Sequence, residues 1–349
     1  MEERTCEVCI IGAGIAGSTL AHNLTPDFDV CLVEKRPPSE LGRKPCGNAV
    51  HRSWLDHEGV EPDPEDHDSV SSVSRSVRLH LSGKDLEANL SPDNDLLILE
   101  REKLVKGVVE TAMDRGCDLF TDRATPQVVG GRARGVDLAE GRIKAETYVD
   151  GSGAAAVLRR EFEPTPPGSF FTGYREIVEG ELGDQVCHVF QSDPSHALWA
   201  FPADGRTNIG GGLFREDGAN LKREVRRLKR DLGLDGDVLD SGFGPIPSSK
   251  PIDLVHGNVV AIGDAGFTAN PVTGGGIGPS IRAANLLADV LRDEGDLERF
   301  QRRYMDEVAG GYERNYYLSR VLLKLQRLVP GRVARWAFGK FYGGKPVEK

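Results

Sequence analysis

Gly12, Gly14 and Gly17 stand in a G-x-G-x-x-G run, and the carboxylate of Glu34 closes the next apolar stretch. This combination suits a dinucleotide. Gly12 permits a tight turn, Gly14 lets the backbone approach a pyrophosphate, and Gly17 lets a helix pack close to a strand. Ala16 lies in the same turn, and Lys35 directly follows Glu34, which is placed to accept hydrogen bonds from a ribose. A second set of residues has matching chemistry far along the chain. Asp264 follows Gly263, and Gly274, Gly275 and Gly276 lead into Ile277, which opens a long apolar helix. A glycine-rich turn at a helix N-terminus attracts anions, and the aspartate suits the hydroxyls of a ribityl chain or ribose. Between these lie a thiol, Cys46, flanked by Lys44-Pro45 and Gly47, and a cation, Arg101, at the start of an amphipathic pattern. The thiol reads either as a free cysteine in a surface loop or as part of a loop crossing a cofactor. A cation at a helix start opposes the helix dipole. Arg101 therefore answers to an external anion or to a nearby carboxylate. Together the two distant glycine turns predict one extended cofactor, FAD rather than NAD(P), because FAD is long enough to need both ends of a sheet.

The elements that must position these residues follow from periodicity. The spacing predicts a strand over Val8–Ile11, a helix over Ile15–Leu24 and a strand over Phe28–Val33. The segment from Val50 to Glu58 reads as a short helix, Ser76–Leu81 and Leu86–Leu90 as a hairpin around Gly83, and Leu96–Leu99 as a strand. A helix over Lys103–Arg115 and short strands over Asp118–Thr121, Gln127–Val129, Arg134–Leu138 and Arg142–Ala145 come next. Thr147–Asp150 runs into Gly151-Ser152-Gly153, a second glycine fingerprint. Pro164, Pro166 and Pro167 cut its helix short, so a separate nucleotide site fails on length. A strand end rejoining the first sheet fits instead. From Ser169 to Phe214 strands follow one another as an inserted antiparallel sheet, with Trp199 and Phe201 on one face. A charged helix over Leu221–Leu232, a Gly/Pro loop over Phe243–Lys250, a strand over Asn258–Ile262 and a helix over Ile277–Leu291 complete this part.

The chain has 349 residues, a net charge of −10 and six cysteines. The acidic balance argues against general nucleic-acid binding. No apolar run is long enough for a membrane helix, and the start of the chain lacks signal-peptide architecture, which predicts a cytoplasmic protein. Cys6 and Cys9 form a C-x-x-C, but an offset of three on a regular strand places them on opposite faces. No metal site is expected. Eight Lys/Arg and no acid fall between Arg314 and Lys345. Tyr316–Leu328 is amphipathic, and Val333–Phe338 continues the theme with Trp336 and Phe338. Such a stretch suits an anionic membrane surface or a helix packed on its own domain.

These residues resemble FAD-dependent reductases of the geranylgeranyl reductase family, within the p-hydroxybenzoate-hydroxylase-like flavoproteins, over nearly the whole chain to about Leu291. Gly12, Gly14 and Gly17 with Glu34 resemble the family's adenosine site, and Lys44-Pro45-Cys46-Gly47 its Cys-Gly loop over the flavin. Arg101 matches the arginine near the pyrophosphate, and Ala124 falls where the family's backbone touches the adenine. Asp150-Gly151 with Arg159 resembles the internal DG motif. Gly263-Asp264 and Pro271–Ile277, including Gly275 and Gly276, resemble the turn that faces the isoalloxazine. The most specific match is the motif Y-x-W-x-F-P followed by G-x-G. Here it reads Ala197-Leu198-Trp199-Ala200-Phe201-Pro202, then Gly210 and Gly212, with Ala197 in place of the tyrosine.

The resemblance implies an α/β fold, with a Rossmann-like FAD-binding domain, an inserted antiparallel β-sheet substrate domain and a helical C-terminus. The corresponding divisions are 1–75 with 97–165 and 250–292 for the cofactor, 76–96 and 166–249 for the substrate, and 293–349 for the C-terminal region. It implies reduction of isolated C=C bonds in polyprenyl chains, most naturally those of membrane glycerolipids. Cys46 and Trp199 are then the catalytic candidates, with Trp199, Phe201, Pro202, Gly210 and Gly212 forming the substrate pocket. A polyprenyl lipid is the expected substrate, and ferredoxin or NAD(P)H the expected electron donor. Peripheral contact with the inner face of the membrane is expected through 314–345. The alternatives are a flavin monooxygenase or prenylated-quinone reductase of the same fold, and a flavin- or lipid-binding protein without turnover.

Overall fold

A computed structural model of the chain describes residues 2–55, 68–81, 84–165, 169–193, 196–213, 218–247, 249–271, 273–293, 296–324 and 345–346. The end of the segment expected as a helix from Val50 to Glu58, and all of Val333–Phe338, lie outside the described residues. The chain opens with β1 (Glu2–Ile11), α1 (Ile15–Leu24) and β2 (Val30–Glu34). Then come β3 (Ala49–His51), β4 (Val70–Ser74), β5 (Ser76–Leu81), β6 (Lys84–Asn89) and β7 (Leu96–Leu99). The helix α2 (Arg101–Asp114) is followed by β8 (Asp118–Thr121), β9 (Thr125–Val129), β10 (Arg132–Asp137) and β11 (Gly141–Asp150). The inserted region holds β12 (Phe170–Glu179), β13 (Cys187–Asp193), β14 (His196–Pro202), β15 (Arg206–Leu213), α3 (Gly218–Asp231) and β16 (Val238–Pro247). Last come β17 (Val255–His256), β18 (Val259–Ala261), α4 (Ile277–Arg292), α5 (Leu297–Glu307), α6 (Tyr312–Lys324) and β19 (Lys345–Pro346).

Three sheets result. The first has the order β17-β18-β11-β1-β2-β8, with the β9–β10 hairpin on β11. Its central strands are parallel: β1 lies between β2 and β11, and β11 pairs with β18. Helices α1, α2 and α4 cover one face of it, burying Ile10, Leu20, Leu104, Val108, Ile281 and Leu286 in one core. The second sheet has the order β16-β12-β15-β14-β13-β5-β6-β19. Helix α3 packs on β12 and β15, with Leu221 and Val225 buried. A small third sheet, β3-β7-β4, completes the set. This is the expected α/β fold, and the truncated helix after Gly151 is confirmed as a single turn over Gly153–Ala155.

The structure departs from sequence expectation at five places. The helix expected from Val50 is instead β3 and one tight turn over Arg52–Trp54. Val50 pairs there with Leu97, so tertiary pairing overrides the local pattern. The loop expected over Phe243–Lys250 belongs largely to β16, which pairs with β12 at nine positions. Pro245 and Pro247 are tolerated because β16 is an edge strand. Arg142–Ala145 and Thr147–Asp150 form one unbroken strand, β11. The inserted sheet is mixed rather than purely antiparallel, because β5 and β13 run parallel. The fifth departure is in β1. The N–H groups of Glu7 and Val8 both donate to the Asp29 carbonyl, a bulge that shifts the alternation by one residue. Cys6 and Cys9 therefore share one buried cluster with Cys31 and Ile11 instead of facing apart.

Candidate cofactor and substrate cavity

A cavity of about 1000 Å³ runs between the first and second sheets. At one end is the turn between β1 and α1. Gly12 has φ +98°, and a Cβ there would lie 2.5 Å from the Gly151 carbonyl oxygen. Gly14 has no atom within 4 Å of the space its Cβ would take, and it caps α1 without a side-chain hydrogen bond. The first-turn N–H groups of α1, beside Ile15 and Ala16, are thus open for an anion. Gly17 does not line the cavity. Its Cβ would fall 1.9 Å from the Gly12 carbonyl oxygen, so its part is to let α1 close on the turn. Glu34 accepts the Ala13 N–H at 2.9 Å and the Arg36 N–H at 3.0 Å. Its carboxylate braces the turn and keeps acceptor capacity toward the cavity, where Lys35 and Ala124 also lie.

Arg101 is the first residue of α2 and lines the same cavity. Its buried Nε has no hydrogen-bond partner among the described residues. An orphaned guanidinium nitrogen beside an uncapped helix start is what a pyrophosphate satisfies. At the middle of the cavity Asp264 forms an ion pair with Lys44. Gly274 (φ +70°), Gly275 and Gly276 then turn the chain into α4, whose cap at Gly276 makes no side-chain hydrogen bond. Asp150 and Arg159 serve the frame instead. Asp150 accepts the N–H groups of Ser152, Leu158 and Arg159, and the fully buried Arg159 donates to the Ala265 carbonyl at 2.9 Å. They tie the end of β11 to the loop that carries Asp264.

The far end is apolar and aromatic. Trp199 and Phe201 line it from β14, with ring centroids 6.3 Å apart. Gly210 pairs with Trp199 across β15, and a Cβ there would lie 2.4 Å from the indole Cζ2. The indole thus lies flat over a strand that has no side chain beneath it. Trp199 Nε1 donates to Asn208 Oδ1 at 3.0 Å, and Asn208 Nδ2 donates to the Cys46 carbonyl at 2.9 Å. One amide side chain therefore links the aromatic wall to the Gly42–Asn48 strap. Gly47 backs onto Phe201, where a Cβ would meet Cε2 at 2.9 Å. Gly212 and Ala197 line the cavity as well, whereas Gly210 and Pro202 act only through their neighbours. The Pro202 carbonyl accepts the Ser72 hydroxyl at 2.6 Å.

Cys46 is half-buried, and its Sγ accepts the Asn48 N–H at 3.4 Å. The five other cysteines are buried. Burial pushes Cys9 above the usual thiol range and Cys117 and Cys187 up to about 12, so none of these three offers a thiolate at neutral pH. His51, also lining the cavity, is pushed below its usual value by burial and is neutral at pH 7. Sequence reasoning missed Asn208 and Arg175. Asn208 had a signal, since it stands two residues before Gly210 and must share its face. Arg175, buried on β12 and lining the cavity, had none.

No family model matches the chain. The chain is 26% identical to the digeranylgeranylglycerophospholipid reductase 2 of Methanopyrus kandleri over 330 residues, 86% of this chain and 81% of that protein. The structure superimposes on a geranylgeranyl bacteriochlorophyll reductase-like protein of Thermoplasma acidophilum with a TM-score of 0.82, 17% identity and coverage of 92% and 88%. It also superimposes on a probable FAD-dependent monooxygenase of Pseudomonas aeruginosa with a TM-score of 0.72, 19% identity and coverage of 92% and 96%. The fold is thus shared with flavin-dependent enzymes of more than one chemistry.

Proposed function

We propose that the chain is an FAD-dependent reductase that saturates C=C bonds in the geranylgeranyl chains of membrane glycerolipids. The observation that carries this reading is the Trp199–Asn208–Cys46 linkage, which ties an apolar aromatic channel to the strap beside the cofactor turns. It is supported by the similarity to curated proteins named digeranylgeranylglycerophospholipid reductase. The monooxygenase alternative shares the fold but not this support. The residues fit FAD: the Gly12–Gly17 turn and Arg101 hold the pyrophosphate, Glu34, Lys35 and Ala124 the adenosine, and Asp264 the ribityl hydroxyls. Segments 1–75, 97–165 and 250–292 then serve the cofactor, and 76–96 and 166–249 the substrate.

Bound FAD, once reduced by ferredoxin or NAD(P)H, would supply the hydride to one alkene carbon, with a proton drawn from solvent completing the other. The chain's own contribution is position and dryness, because an isolated alkene has no polar handle. Trp199 and Phe201 wall the channel and hold the chain against the strap. The α4 N-terminus at Gly275, Gly276 and Ile277 stabilises negative charge at the middle of the cavity. Cys46, the half-buried thiol of the strap, borders the reacting region. Ala197 leaves room where the family has tyrosine, which widens the apolar end. Among the described residues no helix is long and apolar enough to cross a membrane. Lipid access is assigned to peripheral contact through 314–345. On α6, Tyr317 and Val321 are about half exposed.

The test is anaerobic. Chemically reduced protein mixed with geranylgeranylated glycerolipid should yield mass gains of two hydrogens per double bond. Rapid NADPH-driven oxygen consumption without any gain would replace this reading with the monooxygenase. Cys46→Ala should keep its flavin and lose or alter turnover, measured as bound flavin absorbance against product per flavin. Unchanged turnover would remove Cys46 from the reacting region.

A further inference from the structure

The Gly42–Asn48 strap divides the inner face of the second sheet. Pro45 packs against Gly242 and Gly244 of β16, and Gly47 against Phe201 of β14. On one side lies the cavity described above. On the other is a second cavity of about 540 Å³, bounded by the start of α2 and by β12, β15 and β16. Seven cationic side chains line it against three carboxylates; of the seven, Lys44 and Lys103 pair with Asp264 and Asp68 beyond this lining, Arg43 shares Asp240 with Arg175, and Arg101 also borders the first cavity. Arg175 reaches both chambers. It is 7% exposed, it pairs with Asp240, and its buried Nε has no partner among the described residues. Arg206 pairs with Glu100, and Lys106 stands 3.8 Å from Glu102 on the open side, an exposed pair of little strength. Residues 100–103, the uncapped start of α2, complete the wall.

A small excess of cations around a concave space, with the buried Arg175 Nε unsatisfied in addition to the Arg101 Nε at the border with the first cavity, is electrostatically incomplete. The missing partner is a compact anion with several acceptor oxygens, which a guanidinium fork matches better than any monovalent ion. We propose that this second chamber is a phosphate-binding site, with Arg175, Arg206 and Lys106 as its anion contacts. Resting on the reductase reading, two sources supply such a group next to the strap. One is the headgroup of a glycerophospholipid whose chain lies in the first cavity. The other is the phosphate of a soluble dinucleotide electron donor.

The test is calorimetric titration of the FAD-loaded protein with inorganic pyrophosphate at low ionic strength, with the flavin filling the Gly12–Gly17 turn. Saturable binding that weakens with added salt is expected. Arg206→Gln with Lys106→Gln, both outside the first cavity, should weaken it by about tenfold per cation removed without loss of flavin. Arg175→Gln should weaken it further, with the melting temperature recorded beside it because this side chain is buried. Displacement of pyrophosphate by NADPH assigns the site to the nucleotide, and displacement by short-chain phosphatidic acid assigns it to the lipid headgroup. Absent binding, equal binding by wild type and the Arg206/Lys106 variant, or displacement by neither competitor would overturn the proposal. The titration reads no turnover, so the reductase assignment and this site can fail separately.

Discussion

Gly17→Ala is expected to empty the cofactor site and loosen the fold at once, while Gly14→Ala empties it and leaves the fold intact. The difference lies in what each new methyl meets. At Gly17 it lands 1.9 Å from the Gly12 carbonyl oxygen, a backbone atom of the turn itself, so α1 must back away from β1. Overpacking of this kind costs about 1–3 kcal/mol, and the displaced helix start no longer aims its N–H groups at the phosphate. At Gly14 the methyl enters open cavity, with backbone angles that alanine accepts, φ −73° and ψ −176°. There it only occupies the space through which a pyrophosphate approaches. Losing one or two charge-assisted hydrogen bonds weakens binding by about 10- to 1000-fold. Melting curves of the flavin-free proteins separate the two: Gly17→Ala should melt lower than the parent, and Gly14→Ala at the same temperature. Equal melting would show that α1 and the turn do not meet as described.

Gly210→Ala should abolish most turnover while flavin remains bound. The added methyl would lie 2.4 Å from the Trp199 ring and 2.5 Å from the Tyr174 carbonyl oxygen. The carbonyl belongs to the neighbouring strand β12, so β12 and β15 must part slightly and the indole must tilt. Tilting breaks the bond from Trp199 to Asn208, and with it the bridge to Cys46. A misplaced wall of this kind costs on the order of 100-fold in rate. Trp199→Ala should lose a similar amount, and the double variant little more, because both changes remove the same contact. Product formed per bound flavin in the four proteins gives the cycle directly. Additive losses would mean that Gly210 acts through something other than Trp199.

The first glycine turn, α1 and the second turn before α4 were legible because they rest on local rules: backbone room, helix starts and the period of buried strands. Trp199 and Phe201 were placed on one face by alternation alone. What escaped depends on distant partners. Nothing near Val50 announces that Leu97 will pair with it, and nothing near Phe243 announces that β12 needs an edge. The bulge at Glu7 and Val8 exists because Asp29 offers one carbonyl to two N–H groups, which turns a simple alternation count into an error for Cys6 and Cys9. Arg175 was hidden for the same reason. A buried cation on a strand gains meaning only when Asp240 and the strap arrive beside it.

The parallel neighbours of β1 also set the order in which the molecule can be made. Glu2 pairs with Gly141, Ile11 with Asp150, and Asp150 with Ala261. The turn at Gly12 is backed by Gly151. During synthesis β1 emerges first, yet its second neighbour, β11, appears only after β10, and β18, the other neighbour of β11, waits until the whole inserted sheet has passed. At about 5–20 residues per second that delay is on the order of ten seconds, during which Ile10 and Ile11 lack half of their packing. Pairings this distant in sequence also close slowly. The Gly12 turn therefore lacks its backing until Gly151 has been made, and β11 lacks its outer neighbour until β18 follows the inserted sheet.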